Sequence, residues 1–258
     1  MSPTPDIEYF DHLAGHEWRG IAWLLKNYSS IEFCSDTNLA TFTEEQKPNN
    51  IIFLGHPEYF TSNALKKVVE LYKSGSNLIF LSGNSFYNSG VSIQGNWMYI
   101  SKASSFETDY DTRSQLPFYT DLCITDFSDI RLIDVENKNF PKTFKNGDCL
   151  GSESYLSKLK TSLDPNNYDE HAPGVLRSAV LSRFGCSGWE VDKIFGPHKN
   201  HIIARGNNIG GGADVFYLPA SQTKGHFVSV GSLAFIGSLL KDKKLSTFTK
   251  ALLEPFDL

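Results

Sequence analysis

Two short, wholly apolar segments in the first third of the chain predict buried strands. They are residues 51–54 (IIFL) and 78–81 (LIFL), and neither contains a polar residue. Uninterrupted apolar runs of this length are typical of strands covered on both faces of a parallel sheet. Each run leads directly into a polar turn, at residues 55–59 (GHPEY) and 82–87 (SGNSFY). Because ligands bind beyond the C-terminal ends of such strands, both turns are predicted to border one crevice.

The segment between the two runs has the periodicity of a helix that packs one face on a sheet. Its apolar positions recur every three or four residues and are Leu65, Val68, Val69 and Tyr72. Thr61 or Ser62 can cap the N-terminus, and Gly75 can end the helix. This N-terminus follows the first polar turn, so its unpaired N–H groups and its positive dipole end are predicted to point toward the crevice.

The residues before the first buried run predict a further helix and strand. An amphipathic helix is expected to begin near Glu17, with one apolar face formed by Trp18, Ile21, Ala22 and Leu25. A strand is expected at residues 31–34 (IEFC). With the two buried runs, these elements give a β–α alternation that favours a parallel doubly wound sheet.

The middle of the chain is less regular than its ends. Residues 98–100 and 130–133 have the character of strands, but about residues 90–175 are expected to form an irregular insertion or an extra layer. A loop is expected at the glycine-rich residues 206–212, because they do not match the GxGxxG fingerprint of dinucleotide-binding proteins.

The last third predicts further strands and a closing helix. Strands are expected at residues 201–204, 215–218 and 226–230, and the short turn between the last two predicts an antiparallel hairpin. Leu245, Phe248 and Leu252 indicate the helix. The predicted fold class is α/β, with residues 1–258 as a single α/β domain. Its sheet is expected to be mostly parallel and flanked by helices, with an antiparallel C-terminal hairpin.

Composition narrows the function classes. The 258 residues include 19 Phe, 11 Tyr and 4 Trp, enough for a full core, and the net charge of −5 argues against a nucleic-acid partner. No apolar run approaches the roughly 18 residues of a membrane span, so no membrane partner is expected. The N-terminal residues lack the layout of a signal peptide.

The cysteines bear on metal binding and compartment. Cys34, Cys123, Cys149 and Cys186 form no CxxC pair, which disfavours a structural zinc site. Free thiols in a reducing, cytoplasmic compartment are expected, with disulfides as the alternative. Cys186 stands between two glycines, but no long apolar strand precedes it and no His follows at a suggestive spacing, so a nucleophile is disfavoured there.

The polar turns carry the candidate chemistry. His56 and Glu58 flank a proline, and an imidazole and a carboxylate so placed can bind a metal or relay a proton. Equally, His56 can donate a hydrogen bond to a backbone carbonyl, and Glu58 can neutralise the terminus of the following helix. Asn84 can donate to a developing oxyanion or form an Asx turn. Glu190 follows Trp189, and a carboxylate against an indole tends to have a raised pKa that suits a general acid or base.

Four segments together resemble one protein family. They are residues 55–59 (GHPEY), 82–87 (SGNSFY), 188–193 (GWEVDK) and 213–232, which includes ADVFY and FVSVGS. In the same order and at similar spacing, they are similar to segments of the C-terminal domain of the N,N-dimethylformamidase large (beta) subunit. The resemblance extends over about residues 15–256.

This resemblance implies a fold, a reaction and a metal. The implied fold is similar to class I glutamine amidotransferases without their cysteine nucleophile, and the implied cofactor is an iron held by one glutamate and two tyrosines. Glu58 matches the glutamate ligand, and Tyr9 is the candidate for a tyrosine ligand. His56, Asn84 and Glu190 match residues of the family's amide-hydrolysing site.

Two function hypotheses follow. The first is a metal-assisted hydrolase that cleaves a C–N bond of a small-molecule amide, with homo-oligomerisation left open. The alternative is a non-catalytic amidotransferase-like module that binds a small molecule, a carbohydrate or a partner protein. Aromatic residues such as Trp97 and Tyr99 would line the binding surface of such a module.

Overall fold

A computed structural model describes residues 14–86, 91–94, 97–100, 112, 115–117, 119–125, 132–134, 187, 189–194, 196–206, 213–240 and 243–258. The α-helices of this part of the chain are α1 (Ala14–Asn27), α2 (Asp36–Leu39), α3 (Ser62–Lys73), α4 (Phe235–Ser238) and α5 (Lys243–Leu253). The strands are β1 (Asn50–Gly55), β2 (Asn77–Ser82), β3 (Val91–Gln94), β4 (Trp97–Ile100), β5 (Tyr119–Thr125), β6 (Leu132–Asp134), β7 (Trp189–Lys193), β8 (Ile202–Gly206), β9 (Asp214–Leu218) and β10 (Phe227–Ser229). Short 3₁₀ helices cover Glu44–Gln46, Gly196–His201 and Glu254–Phe256.

A six-stranded sheet of order β1-β2-β10-β9-β8-β6 forms the centre of the fold. The α/β class and the antiparallel β9–β10 hairpin are confirmed. The described sheet is mixed rather than mostly parallel, since the β1–β2 and β2–β10 pairs are parallel whereas the β10–β9, β9–β8 and β8–β6 pairs are antiparallel. The connections at 207–213 and 219–226 are shorter than the dozen or so residues that a parallel crossover needs, so β8, β9 and β10 alternate in direction.

The predicted helix between the first two parallel strands is α3. The backbone N–H of Ala64 donates to Thr61 Oγ1 at 3.1 Å, which caps the N-terminus as expected. Gly75 follows the helix with φ +104°, a left-handed conformation that favours glycine. The apolar residues that predicted the helix are all buried: Leu65, Val68, Val69 and Tyr72.

The parallel strands are covered on both faces, as their uninterrupted apolar sequences predict. In β2, Leu78 and Phe80 belong to the core on the α3 side. Ile79 and Leu81 belong to the core that includes residues of α1 and α5. All four side chains are fully buried. A sheet sandwiched in this way presents polar chemistry only at its edges and strand ends, which is where the candidate residues lie.

The predicted apolar face of α1 is wrong. Trp18 and Leu25 are 58% and 54% exposed, whereas Trp23 and Leu24 are buried. The reason is a close approach at Gly20, where an added Cβ would lie only 3.1 Å from atoms of Ile236 and Leu54. A glycine does not contribute to a pattern of apolar residues. The pattern therefore indicated the face that carries Trp18 and Leu25, next to the face that is buried.

The strand predicted at residues 31–34 does not form. Residues 28–35 have no regular structure between α1 and α2. Ile31 packs against the core, but Phe33 is 64% exposed and Cys34 is exposed. The segment therefore contributes one core contact rather than a sheet edge.

Part of the irregular middle region is described. Strand β4 confirms the expectation at 98–100 and pairs with β3, and β6 accounts for the described part of 130–133. Strand β5 pairs with β7 outside the central sheet. Tyr9, Cys149, Cys186 and residues 207–212 lie outside the described residues, and the single-domain assignment stays a prediction. Among the helices that the structure describes, none is both long and apolar enough to cross a membrane.

Candidate functional site

The turns that follow β1 and β2 bring together three of the predicted site residues. His56 Nε2 lies 3.0 Å from Glu58 Oε2, and Asn84 Nδ2 lies 3.3 Å from the same ring nitrogen. Glu58 is 8% exposed and Asn84 is fully buried, while the imidazole keeps partial exposure. A carboxylate, an imidazole and an amide are thus in direct contact at the C-terminal edge of two parallel strands. The predicted clustering of these side chains is confirmed as geometry.

The turn after β1 is compact because it closes on itself. The backbone N–H of Glu58 donates to the carbonyl of His56 at 2.8 Å, across Pro57. A hydrogen bond between residues two apart forms a three-residue turn, and the proline ring restricts the central φ. Both side chains of the imidazole–carboxylate pair therefore leave a turn with few alternative conformations.

The turn after β2 contains two non-glycine residues in the left-handed region. Asn84 has φ +50° and Phe86 has φ +56°. Asparagine tolerates this conformation, but for a bulky residue it is a clear outlier that costs roughly 1–3 kcal/mol. Ser85 between them is buried, and its Oγ lies 2.9 Å from Ser82 Oγ. The loop that presents Asn84 is thus held in place by its surroundings rather than by local preference.

Proton positions in the cluster are linked to one another. His56 Nε2 cannot donate a hydrogen bond to Glu58 and accept one from Asn84 at the same time. When Nε2–H donates to the Glu58 carboxylate, Nε2 cannot accept a hydrogen bond, and the Asn84 N–H groups can donate to another acceptor, such as a substrate oxygen. In that arrangement the lone pair of the imidazole is on Nδ1. The cluster can therefore supply an amide donor and a basic ring nitrogen together.

Glu17 is a neighbour of the site that the sequence did not reveal. Gly55, at the end of β1, has φ +79°, and a Cβ at this position would lie 2.3 Å from Glu17 Oε1. The carboxylate of α1 therefore packs directly over the residue that precedes His56. A signal was present in the helical spacing, since Glu17 is three residues from Gly20 and seven from Leu24, both of which are buried.

The backbone of Glu190 reaches the same end of the sheet. Its neighbour Val191 forms a β-bridge with Ser232, whose N–H donates to the carbonyl of Ser82 at 2.9 Å. Ser82 is the last residue of β2, two residues before Asn84. The topology thus places the backbone of residue 190 beside the end of β2. Tyr9 lies outside the described residues.

The resemblance implies an iron held by one glutamate and two tyrosines. Among the residues that the structure describes, no group of three or more His, Cys, Asp or Glu side chains could hold a metal ion. Glu58 and His56 supply one oxygen and one nitrogen, and these two atoms are already paired with each other. The described residues therefore do not fit a resident iron by themselves.

The fold and the cluster define an α/β protein with a carboxylate–imidazole–amide site at the ends of its parallel strands. The model of the family described as N,N-dimethylformamidase beta subunit-like, C-terminal, matches residues 3–114. This match covers less than half of the chain and includes His56, Glu58 and Asn84, but it ends before β7. The resemblance seen in the sequence is confirmed over that segment. A search of curated proteins found no match.

Proposed function

We propose that this chain is a hydrolase that cleaves the C–N bond of a small amide. The observation that carries the proposal is the direct contact of His56 with both Glu58 and Asn84. The family match to N,N-dimethylformamidase beta subunit-like domains supports a hydrolase of this kind and covers all three residues. Position also supports it, since ligands of open α/β sheets bind at the C-terminal ends of parallel strands.

In the proposed reaction His56 is the general base. The imidazole takes a proton from water as the water oxygen forms a bond to the amide carbonyl carbon. Glu58 stabilises the resulting imidazolium through the Nε2 contact. Asn84 donates a hydrogen bond to the developing oxyanion, which is more strongly stabilised in a buried site than in water. When the C–N bond breaks, the imidazolium returns its proton to the leaving nitrogen, giving a carboxylic acid and an amine.

Glu190 is proposed as a second acid or base in this reaction. Its support is the resemblance together with the position of β7, whose Val191 bridges to Ser232 beside the end of β2. A carboxylate at this edge would take the proton of the newly formed carboxylic acid and pass it to the amine. The finer fold assignment, a class I glutamine amidotransferase-like sheet, is proposed on the same resemblance and on the parallel β1, β2 and β10.

Purified protein assayed on a panel of small amides tests this function. The measured quantities are the released amine and kcat/KM for the parent and for variants at the site. We expect His56→Gln, Glu58→Gln and Asn84→Ala each to lower kcat/KM by about 10²-fold or more. Glu70→Gln is the matched control, because Glu70 is an exposed carboxylate that pairs with Lys67 on α3. Absence of turnover on every amide, with and without added iron, would overturn the proposal.

Metal assistance is a separate proposal that rests on the resemblance. It assigns Glu58 and Tyr9 to an iron and predicts that purified protein contains the metal. Elemental analysis of the parent, of Glu58→Ala and of Tyr9→Phe measures it directly. Iron in the parent that falls in both variants supports the assignment, whereas equal iron in all three contradicts it. A visible absorption band lost in Tyr9→Phe would identify a phenolate ligand.

A binding module is the second candidate, because the β3–β4 hairpin exposes aromatic rings. Trp97 is 73% and Tyr99 is 52% exposed. The pairing of Gln94 with Trp97 and of Ser92 with Tyr99 places these four residues on one face of the hairpin. Calorimetric binding of an amide or a sugar without product, lost in Trp97→Ala, favours this candidate. Cytoplasmic location and homo-oligomerisation remain predictions.

A further inference from the structure

Phe86 combines a strained backbone with a completely enclosed side chain. Its φ is +56° and its side chain is 1% exposed. A bulky residue keeps a left-handed conformation only where the surrounding structure enforces it. The enforcing contacts are aromatic: the ring centroids of Phe53, Phe60 and Phe80 lie 5.1, 4.5 and 5.3 Å from that of Phe86. These neighbours belong to the core on the α3 side of the sheet.

The backbone of the same residue joins the two turns of the site. Its N–H donates to the carbonyl of Pro57 at 2.7 Å. Pro57 stands between His56 and Glu58, and Phe86 follows Asn84 by two residues. The φ angle sets the direction of the side chain relative to the N–H bond. A left-handed φ therefore lets the ring enter the core while the N–H reaches the neighbouring turn.

We propose that Phe86 is a positioning residue that holds the Asn84 amide against His56. The aromatic core fixes the ring, the ring fixes the left-handed backbone, and the backbone ties the second turn to Pro57. Without the ring, the backbone at 86 relaxes toward the common conformations of a non-glycine residue. The turn then separates from Pro57, and the Asn84–His56 contact is lost. The catalytic meaning of this contact rests on the proposed function, but the structural claim does not.

Phe86→Leu in the full chain tests the proposal, with Phe227→Leu as the matched control. Phe227 is fully buried in the same core and contacts Phe80 through its ring, but it lies in β10 with an ordinary strand backbone. Two spectroscopic signals are measured by NMR. The first is the exchange rate of the amide at position 86, and the second is the set of ring ¹⁵N shifts of His56. Urea unfolding of both variants gives their stabilities.

We expect Phe86→Leu to exchange the amide at 86 at least tenfold faster than the parent and to shift the His56 ring nitrogens. Phe227→Leu should change neither signal, although it also loses stability. Unchanged signals in Phe86→Leu would overturn the positioning role, as would equal changes in both variants. If Phe86→Leu does not fold, Phe86→Met keeps more of the volume and is read by the same two signals.

Measuring kcat and KM of the same variants tests the role of Phe86 separately from the proposed function. If the parent hydrolyses an amide, Phe86→Leu should lower kcat by about tenfold or more with little change in KM, because the lost donor acts on the transition state. Phe227→Leu should keep the parent kcat. If the parent hydrolyses no amide, the proposed function fails, and the two NMR signals still decide whether Phe86 holds Asn84 against His56.

Discussion

His56 and Glu58 face each other across a single proline, with Nε2 and Oε2 3.0 Å apart. Both side chains are mostly buried, and the turn that carries them is closed by its own backbone hydrogen bond. A charged or hydrogen-bonded pair with this little exposure is less screened than a pair in water. The pair should therefore behave as one energetic unit, which a double-mutant cycle measures.

In such a cycle, His56→Ala and Glu58→Ala should not be additive in the free energy of unfolding. Either single variant leaves the other polar group without its partner, so the double variant should lose less than the sum. We expect a coupling energy of about 0.5–3 kcal/mol from urea unfolding. The exposed Lys67–Glu70 pair on α3, at 2.8 Å, is the control and should give about 0.5 kcal/mol or less. Equal coupling in the two cycles would show that burial adds nothing to the His56–Glu58 contact.

Gly55→Ala should destabilise the protein more than Gly75→Ala. Both glycines have positive φ, at +79° and +104°, so each alanine adds backbone strain of about 1–2 kcal/mol. At Gly55 the new Cβ would also force the Glu17 side chain to move, since its Oε1 lies 2.3 Å away, whereas none of the described residues lies within 4 Å of a Cβ at Gly75. Urea unfolding measures the difference between the two variants.

Removing the obstructing carboxylate provides the check on that difference. Glu17→Ala in the Gly55→Ala background should restore part of the lost stability. It should restore nothing in the Gly75→Ala background, because a Cβ at Gly75 meets none of the residues that the structure describes, Glu17 included. Equal stabilities of Gly55→Ala and Gly75→Ala would contradict the contact between Glu17 and residue 55.

Much of this fold was predictable because burial on both faces leaves a strong signal. The apolar runs of β1 and β2, the stripe of α3 and the short β9–β10 turn each have one simple interpretation. The buried face of α1 could not be predicted in this way. The helix contacts the sheet through Gly20, and a glycine contributes nothing to a hydrophobic pattern. The antiparallel pairing of β8 with β9 was not predicted, because an assumption of a mostly parallel sheet takes no account of the short connection between these strands.

The site was predictable only as far as sheet geometry determines it. His56, Glu58 and Asn84 follow parallel strands, so their meeting could be predicted from the order of elements alone. Phe86 reads in the sequence as one more aromatic residue, since its left-handed backbone results from tertiary contacts rather than from local preference. The sequence predicts Glu17 as a solvent-facing residue of α1, and its place beside Gly55 follows only once the buried face of the helix is known.

The corrected phase of α1 makes a simple stability prediction. Trp18→Gln should change the free energy of unfolding by no more than about 0.5 kcal/mol, because the indole is 58% exposed. Trp23→Leu should cost about 2–4 kcal/mol, because Trp23 is 2% exposed and its Nε1 donates to Ser246 Oγ at 2.7 Å. Denaturant unfolding compares the two. A larger loss of stability in Trp18→Gln than in Trp23→Leu would show that the face predicted from the hydrophobic pattern is the buried one.

Stability should fall as the solution becomes mildly acidic, and His226 should account for part of the fall. Its Nδ1 accepts a hydrogen bond from the N–H of Ala220 at 3.1 Å, and Tyr217 Oη lies 2.8 Å from the same nitrogen. Burial lowers the pKa of His226 from its ordinary 6.5, so the folded protein favours the neutral ring. The unfolded chain then takes up the proton first. This contribution is fully present above pH 6.5 and is lost as the pH falls toward the folded pKa.

Urea midpoints measured about one pH unit above and one below 6.5 test this assignment. His226→Asn removes the titration while its side-chain oxygen can still accept the Ala220 N–H, so its midpoint should fall less than that of the parent. Some pH dependence should remain, because partial burial and the nearby His201 and Lys224 lower the pKa of His198 as well. His198→Asn in the same background should reduce the remaining slope. A parent slope that His226→Asn leaves unchanged would exclude His226 as a titrating contributor.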